Sequence, residues 1–244
     1  MVMLGRIARS LRARGVAETL KLCALQPYLW WRERRFNRTR LSAQAEFDRE
    51  HSVNTGDIVY LGDLAIPGDN SAYGARYGPT SQTTFCEMIT DLLIDHARFT
   101  FIDIGSGKGA VLLYASDWPF AKIIGVEFSP HLHEIAGQNL ASYRSMSQKC
   151  FNIEVVCDDA ENYAVPLVPV VLYFSSPFGV EVMASVLTHV LNSFQENPRE
   201  GYLIYNHVGY YPDVDTLLLQ TQGLHLLADG KTYRLYRVGP EGRT

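Results

Sequence analysis

The chain has 244 residues, of which 47% are hydrophobic and 20% are charged, with a formal net charge of −4. This length suits one α/β domain with an extension, and the hydrophobic share can fill a substantial core. The four cysteines form no CxxC pair and no zinc-like spacing, and no run of about 18 apolar residues predicts a transmembrane helix. These features favour a cytoplasmic protein with reduced thiols.

The first 40 residues are strongly basic. Their ten Lys and Arg outnumber two Glu, a net of +8, which leaves −12 for the rest of the chain. The apolar residues between the arginines recur at helical spacing and predict a basic amphipathic helix; they are Leu4, Ile7, Ala8 and Leu11. We therefore expect a basic helical N-terminal extension, residues 1–45, and a second domain, residues 46–244.

Two interpretations of the basic extension stay open. It is either an arm for an anionic membrane, a nucleic acid or an acidic partner, or a helix that packs on the acidic remainder and keeps its arginines in water. The first interpretation adds a peripheral membrane location to the cytoplasmic one.

From residue 80 onward, helical and strand patterns alternate as a parallel sheet requires. Thr80 is the expected cap of a first helix. The apolar positions of that helix are Phe85, Met88, Ile89, Leu92 and Leu93. The later strands are predicted at residues 99–104, 123–127, 153–157, 168–174, 202–206, 224–227 and 233–238. The later helices are predicted at residues 107–116, from 129, 180–195 and 213–220.

Three of these elements carry further information. The strands at residues 153–157 and 168–174 are apolar enough to be buried on both faces. The last two strands flank Asp229-Gly230, a turn pair typical of hairpins. The sheet is therefore predicted to be mostly parallel and to end in an antiparallel pair.

The most informative stretch is residues 101–109, followed by residues 123–127. It reads as a strand, a glycine-rich turn, a helix start and a second strand that ends in a carboxylate, which is typical of a nucleoside-cofactor pocket. Glu127 lies 22 residues after Gly105, where the next parallel strand would bring a carboxylate to two ribose hydroxyls.

Three kinds of ligand compete for the glycine-rich turn. A phosphate-binding P-loop fails, because Ile102 stands where its first glycine belongs and Gly109 follows Lys108. A dinucleotide site, G-x-G-x-x-G/A, is satisfied in its looser form. The residues that satisfy it are Gly105, Gly107 and Ala110.

The third pattern, D-x-G-x-G-x-G, is matched in full by Asp103, Gly105, Gly107 and Gly109. Asp103 would repel a pyrophosphate, whereas it would attract the ammonium and sulfonium of S-adenosylmethionine. The sequence therefore favours the methyl donor over a dinucleotide.

Four motifs in this order resemble the class I S-adenosylmethionine-dependent methyltransferases, over about residues 70 to 238. Residues 103–109 resemble the first motif of that family, and Glu127 resembles the acidic end of its second strand. Residues 157–160 resemble the turn after its third strand, and residues 175–178 the tip of its fourth. Residues 77–80 also resemble bacterial members of unassigned substrate.

This resemblance implies a fold. It is an α/β, Rossmann-like, seven-stranded and mostly parallel sheet of order 3-2-1-4-5-7-6, with helices on both faces. The predicted C-terminal hairpin fits that order better than it fits an all-parallel dehydrogenase.

The resemblance also implies roles at the carboxyl ends of the strands, with S-adenosyl-L-methionine as the cofactor. The methionine end would be held by Asp103, Gly105, Ser106 and Gly107, and the ribose by Glu127. The adenine amine would meet Asp159 or its rival Asp158, and Phe128 would either lie against the adenine or be an ordinary core residue. Tyr77 and Thr80 would close over the cofactor carboxylate. No metal site is expected, because His131 and His133 are two apart on a predicted helix.

The candidate catalytic residues are Ser175, Pro177 and Phe178. Nitrogen-directed members carry Asn/Asp/Ser-Pro-Pro-aromatic here, and this chain has Ser176 where the first proline would stand. Residues 179–182 resemble the matching segment of the non-SET histone lysine methyltransferases. The resemblance implies an amine acceptor such as a protein lysine. The alternatives are an NAD(P)-dependent oxidoreductase that uses the same turn, and a non-catalytic methyltransferase-like binding module.

A deletion tests the basic extension. Removing residues 1–15 deletes Arg6, Arg9, Arg12 and Arg14, which lie outside the stretch that resembles the family. We expect unchanged affinity for S-adenosylhomocysteine and weaker salt-sensitive binding to anionic vesicles or RNA, because each arginine is attracted to an anionic surface at low salt. Both are measured by titration of the purified proteins, and a deletion that abolishes folding would place the segment in the core.

Overall fold

The computed structural model describes residues 41–57, 59, 78–206 and 210–239. The predicted basic amphipathic helix, with its apolar positions Leu4 to Leu11, and the candidate Tyr77 lie outside the described residues. The chain divides into two compact units, Met1–Ala45 and Glu46–Thr244.

Helices and strands alternate along most of the described chain. The helices are α1 (residues 41–51), α2 (Gln82–Asp91), α3 (Ala110–Ala115), α4 (Pro130–Ser142), α5 (Val180–Glu196) and α6 (Pro212–Gln220). The strands are β1 (Thr100–Ile104), β2 (Lys122–Glu127), β3 (Ile153–Cys157), β4 (Val170–Phe174), β5 (Gly201–Asn206), β6 (Leu224–Asp229) and β7 (Tyr233–Val238). A short 3₁₀ helix, His96–Arg98, precedes β1.

The described strands form one seven-stranded sheet of order β3-β2-β1-β4-β5-β7-β6, which confirms the predicted Rossmann-like architecture. The first five strands pair in parallel, and β7 pairs antiparallel with both β5 and β6. The turn of the final hairpin is closed by the Gly230 N–H, which donates to the Tyr233 carbonyl at 3.0 Å. The Asp229-Gly230 turn was therefore predicted correctly.

The core has two layers, one on each face of the sheet. Alternate side chains of the central strands pack on opposite faces, because the side-chain period of a strand is two. The face covered by α2 and α3 carries Phe101, Ile123, Val171 and Tyr173. The face covered by α5 and α6 carries Ile102, Ile124, Leu172 and Phe174. Residues of the same strand therefore anchor helices on both sides.

Four sequence-based expectations are corrected. The N-cap of α2 is Ser81 and not Thr80, whose hydroxyl bonds elsewhere. Leu93 is 93% exposed, because α2 ends at Asp91 before the apolar period is complete. β3 is an edge strand with no fully buried residue, so it is not covered on both faces. α3 begins later than predicted, because the glycines that precede it are not helical.

None of the helices that the structure describes is both long enough and apolar enough to cross a membrane.

Candidate functional site

A cleft of about 950 Å³, including its open mouth, lies at the carboxyl ends of the central strands. Its lining contains every predicted site residue in the described part of the chain. These residues are Thr80, Asp103, Gly105, Ser106, Gly107, Glu127, Phe128, Asp158, Asp159, Ser175, Pro177 and Phe178. The fold thus brings together side chains that are far apart in the sequence.

The glycine-rich turn is fastened to the end of β2. The N–H groups of Gly105 and Ser106 donate to the Val126 carbonyl at 2.9 and 3.0 Å. The next N–H, that of Gly107, donates to Oε2 of Glu127 at 2.8 Å. A phosphate-binding loop presents its N–H groups to the ligand. Here, three successive N–H groups are bonded to the protein itself.

Glycine is required at Gly105 for two reasons. Its φ of +84° is unfavourable for other residues, and a Cβ there would lie 2.7 Å from Cβ of Pro177. A side chain at Gly125 would meet Ser106 in the same way, with Oγ 2.8 Å from the added Cβ. The buried Ser106 hydroxyl therefore lies against β2, and its Oγ has no hydrogen-bond partner among the described residues.

Glu127 joins two turns. Its Oε1 accepts the Ser129 N–H at 2.9 Å, while Oε2 holds Gly107 of the preceding turn. Only 3% of Glu127 is exposed. Burial raises the pKa of its carboxyl, although the N–H bonds from Ser129, Gly107 and Phe128 lower it. Each carboxylate oxygen retains a further lone pair that could accept a ribose hydroxyl.

Asp103 lies beside Gly125 on β2 and Tyr173 on β4 in the sheet register, and it is 3% exposed. Burial raises the pKa of the Asp103 carboxyl well above its ordinary value, and the charge of Glu127 raises it further. A buried carboxylate in this position is stabilised by a cationic ligand group, because opposite charges interact strongly away from water.

The charge of the cleft has one sign. Among the described residues, its lining contains four carboxylates and no lysine, arginine or histidine; the acids are Asp103, Glu127, Asp158 and Asp159. Lys108 is a basic residue within the glycine-rich turn, but it does not line the cleft. Its Nζ donates to the Gly56 carbonyl at 2.9 Å instead. The cleft therefore suits a cationic ligand better than a pyrophosphate.

The predicted adenine side of the cleft is formed by Phe128 and two aspartates. Phe128 is half-buried and belongs to neither core layer, which favours the interpretation that it contacts a ligand. Asp158 accepts the Asp159 N–H at 2.8 Å, and Asp159 accepts the Glu161 N–H at 3.0 Å. Both aspartates line the cleft.

The loop after β4 has an unusual backbone. Ser176 has a φ of +48°, which proline cannot adopt because its ring fixes φ near −65°. Its hydroxyl donates to the Asn206 carbonyl at 2.9 Å and lies 3.1 Å from the Tyr205 hydroxyl. The loop therefore differs in conformation from a Pro-Pro form. Phe178 is 8% exposed and packs edge-on against Phe174, so most of its ring is core.

Sequence reasoning missed a polar cluster beside this loop. Thr80 Oγ1 lies 2.9 Å from the Tyr173 hydroxyl and 3.1 Å from Ser175 Oγ, and Asn206 Nδ2 donates to Tyr173 at 3.1 Å. Tyr173 and Asn206 were not predicted. Their positions at the carboxyl ends of β4 and β5 could have indicated them, because ligands bind at that edge of a parallel sheet.

The part of the chain that the structure describes contains no group of three or more His, Cys, Asp or Glu side chains that could hold a metal ion. The described cysteines, Cys86, Cys150 and Cys157, are free thiols.

No protein-family model matches the sequence, and no curated protein matches it. Similar solved structures include magnesium protoporphyrin IX methyltransferase from Synechocystis PCC 6803 with bound S-adenosylmethionine (15% identity, 65% of this chain and 78% of that chain, TM-score 0.47). Another is an RNA methyltransferase from Salinibacter ruber in complex with S-adenosylhomocysteine (17% identity, 68% and 96%, TM-score 0.43). A third is a putative RNA methyltransferase from Pyrococcus horikoshii (16% identity, 73% and 94%, TM-score 0.49).

At these identities and TM-scores, the likenesses carry no conclusion about this chain. The strand order of the sheet itself is that of the Rossmann-like methyltransferase fold, as the resemblance in the sequence predicted.

The burial of Asp103 leads to a prediction about stability. An Asp in the unfolded chain ionises near its ordinary pKa of about 3.9, and burial raises that pKa in the folded state. The stability contributed by the protonated form is therefore lost as the pH rises from that ordinary pKa through the folded pKa, and at neutral pH the burial of Asp103 lowers the stability of the ligand-free fold. Asp103→Asn should raise the unfolding temperature at pH 7 and abolish most of the stabilisation by S-adenosylhomocysteine, as measured by calorimetry.

Asp213→Asn is the matched control, since it removes an exposed carboxylate on α6. It should leave the ligand-induced shift unchanged. A lower unfolding temperature for ligand-free Asp103→Asn, with the same shift as the wild type, would contradict the prediction.

Proposed function

We propose that the chain is an S-adenosylmethionine-dependent methyltransferase whose cofactor binds in this acidic cleft. The observation that carries the proposal is the buried Asp103 carboxylate beside a glycine-rich turn whose first three N–H groups are already bonded to β2. Such a site matches a nucleoside with a cationic tail. It does not match a pyrophosphate, which needs free N–H donors and no adjacent carboxylate.

Each lining residue then has a role. Asp103 attracts the ammonium of the methionine end, the bare backbone at Gly105 and Gly107 lets the ligand approach, and Glu127 accepts from the ribose hydroxyls. Phe128 lies against the adenine. The polar cluster at Thr80 supplies hydroxyls to the methionine carboxylate.

Asp158 and Asp159 remain rivals for the adenine amine, and Ser106 contributes backbone to the turn. The role of Tyr77, near the methionine carboxylate, is proposed from the sequence. Within this arrangement, the cofactor supplies the activated methyl group and its own leaving group, and the protein aligns the acceptor and excludes water.

The two alternative functions are disfavoured for different reasons. An NAD(P)-dependent oxidoreductase would place a pyrophosphate beside Asp103 and Glu127, where both charges repel it. A non-catalytic binding module has no need of buried carboxylates at the sheet edge, because each lowers the stability of the ligand-free fold.

The acceptor in this proposal is an amine nitrogen, such as that of a protein lysine. Two features support it: the loop of Ser175, Pro177 and Phe178 lines the cleft, and the cleft is acidic, so a cationic side chain is attracted to its mouth. A lysine must then lose its proton, and desolvation in the cleft lowers its pKa. The left-handed Ser176 sets this loop apart from the Pro-Pro form.

The proposal also assigns the two parts of the chain. Residues 46–244 form the methyltransferase domain, and residues 1–45 form a basic helical extension that contacts an anionic membrane or nucleic acid. The free thiols of the described cysteines support a cytoplasmic location, with peripheral membrane contact through the extension.

Cofactor choice is the first test. Isothermal calorimetry on the purified protein should show binding of S-adenosylmethionine and S-adenosylhomocysteine, and no binding of NADH or NADPH at micromolar concentrations. The physical reason is the sign of the charge in the cleft. Micromolar binding of NADH, without a thermal shift from S-adenosylhomocysteine, would overturn the proposed function.

Acceptor class is the second test. The protein should transfer a labelled methyl group from S-adenosylmethionine to a basic protein pool, faster at pH 9 than at pH 7, because more of the lysine amine is then unprotonated. A pool with acetylated lysines is the matched control and should take up no label. Label in RNA instead of protein would refute the amine acceptor while retaining the methyltransferase.

A further inference from the structure

A short segment ahead of the glycine-rich turn is built around one carboxylate. Asp48 accepts three bonds from two neighbouring residues: Oδ2 takes the N–H groups of Thr55 at 2.9 Å and Gly56 at 2.7 Å, and Oδ1 takes the Thr55 hydroxyl at 2.5 Å. Thr55 is fully buried. We call residues 48–57 the strap.

Lys108 ties the strap to the glycine-rich turn. Its Nζ donates to Asn54 Oδ1 at 3.2 Å and to the Gly56 carbonyl at 2.9 Å. Only 4% of Lys108 is exposed. Burial lowers the pKa of this amine, while the charges of Asp57 and Asp48 oppose that effect. A buried ammonium is retained only where it is well paired, so these contacts define the position of Lys108.

Asn139 of α4 completes the connection. Its Nδ2 donates to the Lys108 carbonyl at 2.8 Å and to the Asn54 carbonyl at 2.9 Å, and its Oδ1 accepts the Asn54 N–H at 2.7 Å. The strap and the turn are therefore bonded to the same amide as well as to each other.

These bonds hold a part of the turn in which neighbouring glycines allow the backbone many conformations. Lys108 stands between Gly107, with φ of +54°, and Gly109, with φ of +82°. Glycine at both neighbours leaves many backbone conformations accessible. The N–H of Gly107 must nevertheless reach Glu127 at the ligand side of the turn. An anchor on the next side chain holds the turn in the conformation that meets this requirement.

We propose that Lys108 is a positioning residue that couples the strap to the cofactor site, so that cofactor binding and ordering of residues 48–57 stabilise each other. The inference rests on the proposed function, because it takes the cleft to be the cofactor site. Coupling of this kind is reciprocal. If the ordered strap strengthens cofactor binding, then cofactor binding stabilises the ordered strap to the same degree.

The experiment uses the full chain and three variants. Lys108→Met removes the donor and keeps a similar side-chain length. Asn54→Ala removes one of its acceptors in the strap, at a residue that does not line the cleft. Lys122→Met is the matched control, because Lys122 pairs with Glu154 on the outside of the sheet. Calorimetry measures the affinity for S-adenosylhomocysteine, and hydrogen exchange follows the N–H groups of residues 53–56 with and without that ligand.

In the wild type, S-adenosylhomocysteine should slow exchange at residues 53–56. Lys108→Met should weaken ligand binding by at least about fivefold and remove that protection, Asn54→Ala should do the same to a smaller degree, and Lys122→Met should match the wild type. If Lys108→Met does not fold, Asn54→Ala decides. A merely structural lysine would lower stability without changing ligand-dependent exchange.

Two failures are distinguishable. A wild type that does not bind S-adenosylhomocysteine overturns the proposed function and this inference with it. A wild type that binds, together with Lys108→Met and Asn54→Ala that bind equally well, or with strap exchange that does not respond to the ligand, overturns the inference alone.

Discussion

The site depends on the hydrogen bonds that the Glu127 carboxylate accepts. One oxygen holds Gly107 of the turn after β1, and the other holds Ser129 at the start of α4. Hydrogen bonds to a charged group contribute about 1.5–3 kcal/mol each, so this one side chain outweighs a neutral bond in fixing both turns. Glu127 is the last residue of β2. The position of β2 in the sheet therefore determines where its carboxylate meets the glycine-rich turn. Glu127 also lines the cleft.

Two buried carboxylates so close together oppose folding. The charge of Glu127 raises the pKa of Asp103, and burial raises the pKa of both, so each group is held in an environment that disfavours its ionised form. Such an arrangement persists at functional sites because a ligand offsets it. The buried Lys108 lies on the other side of the turn, where its bonds to the strap restrain the backbone between two glycines. The turn is thus held by β2 on one side and by the strap on the other.

Much of the fold was predictable, because buried strands and their turns leave local signals. The motifs and the Asp229-Gly230 turn predicted the strand order correctly. That order places β3 at the edge of the sheet, although its apolar composition had suggested a strand buried on both faces. The hydrogen-bond partner of Thr80 could not be predicted from the sequence, because Tyr173 is 93 residues away. A threonine before a helix is, moreover, a common N-cap. The positive φ of Ser176 could not be predicted either, because it accompanies a hydrogen bond from the Ser176 hydroxyl to the Asn206 carbonyl of β5.

These errors are not spread evenly over the site. The turn after β1 and the acid that ends β2 act through backbone and charge at fixed spacing, so one sequence motif describes them. The polar cluster beside the loop after β4 is built differently: the hydroxyls of Thr80, Tyr173 and Ser175 meet Asn206 from three separate segments, namely the residues before α2, the end of β4 with its loop, and the end of β5. Pro177 packs against Gly105, so the loop after β4 contacts the glycine-rich turn at this point. A substitution in the loop after β4 therefore changes the packing against Gly105, whereas the bond from Gly107 to Glu127 does not involve that loop.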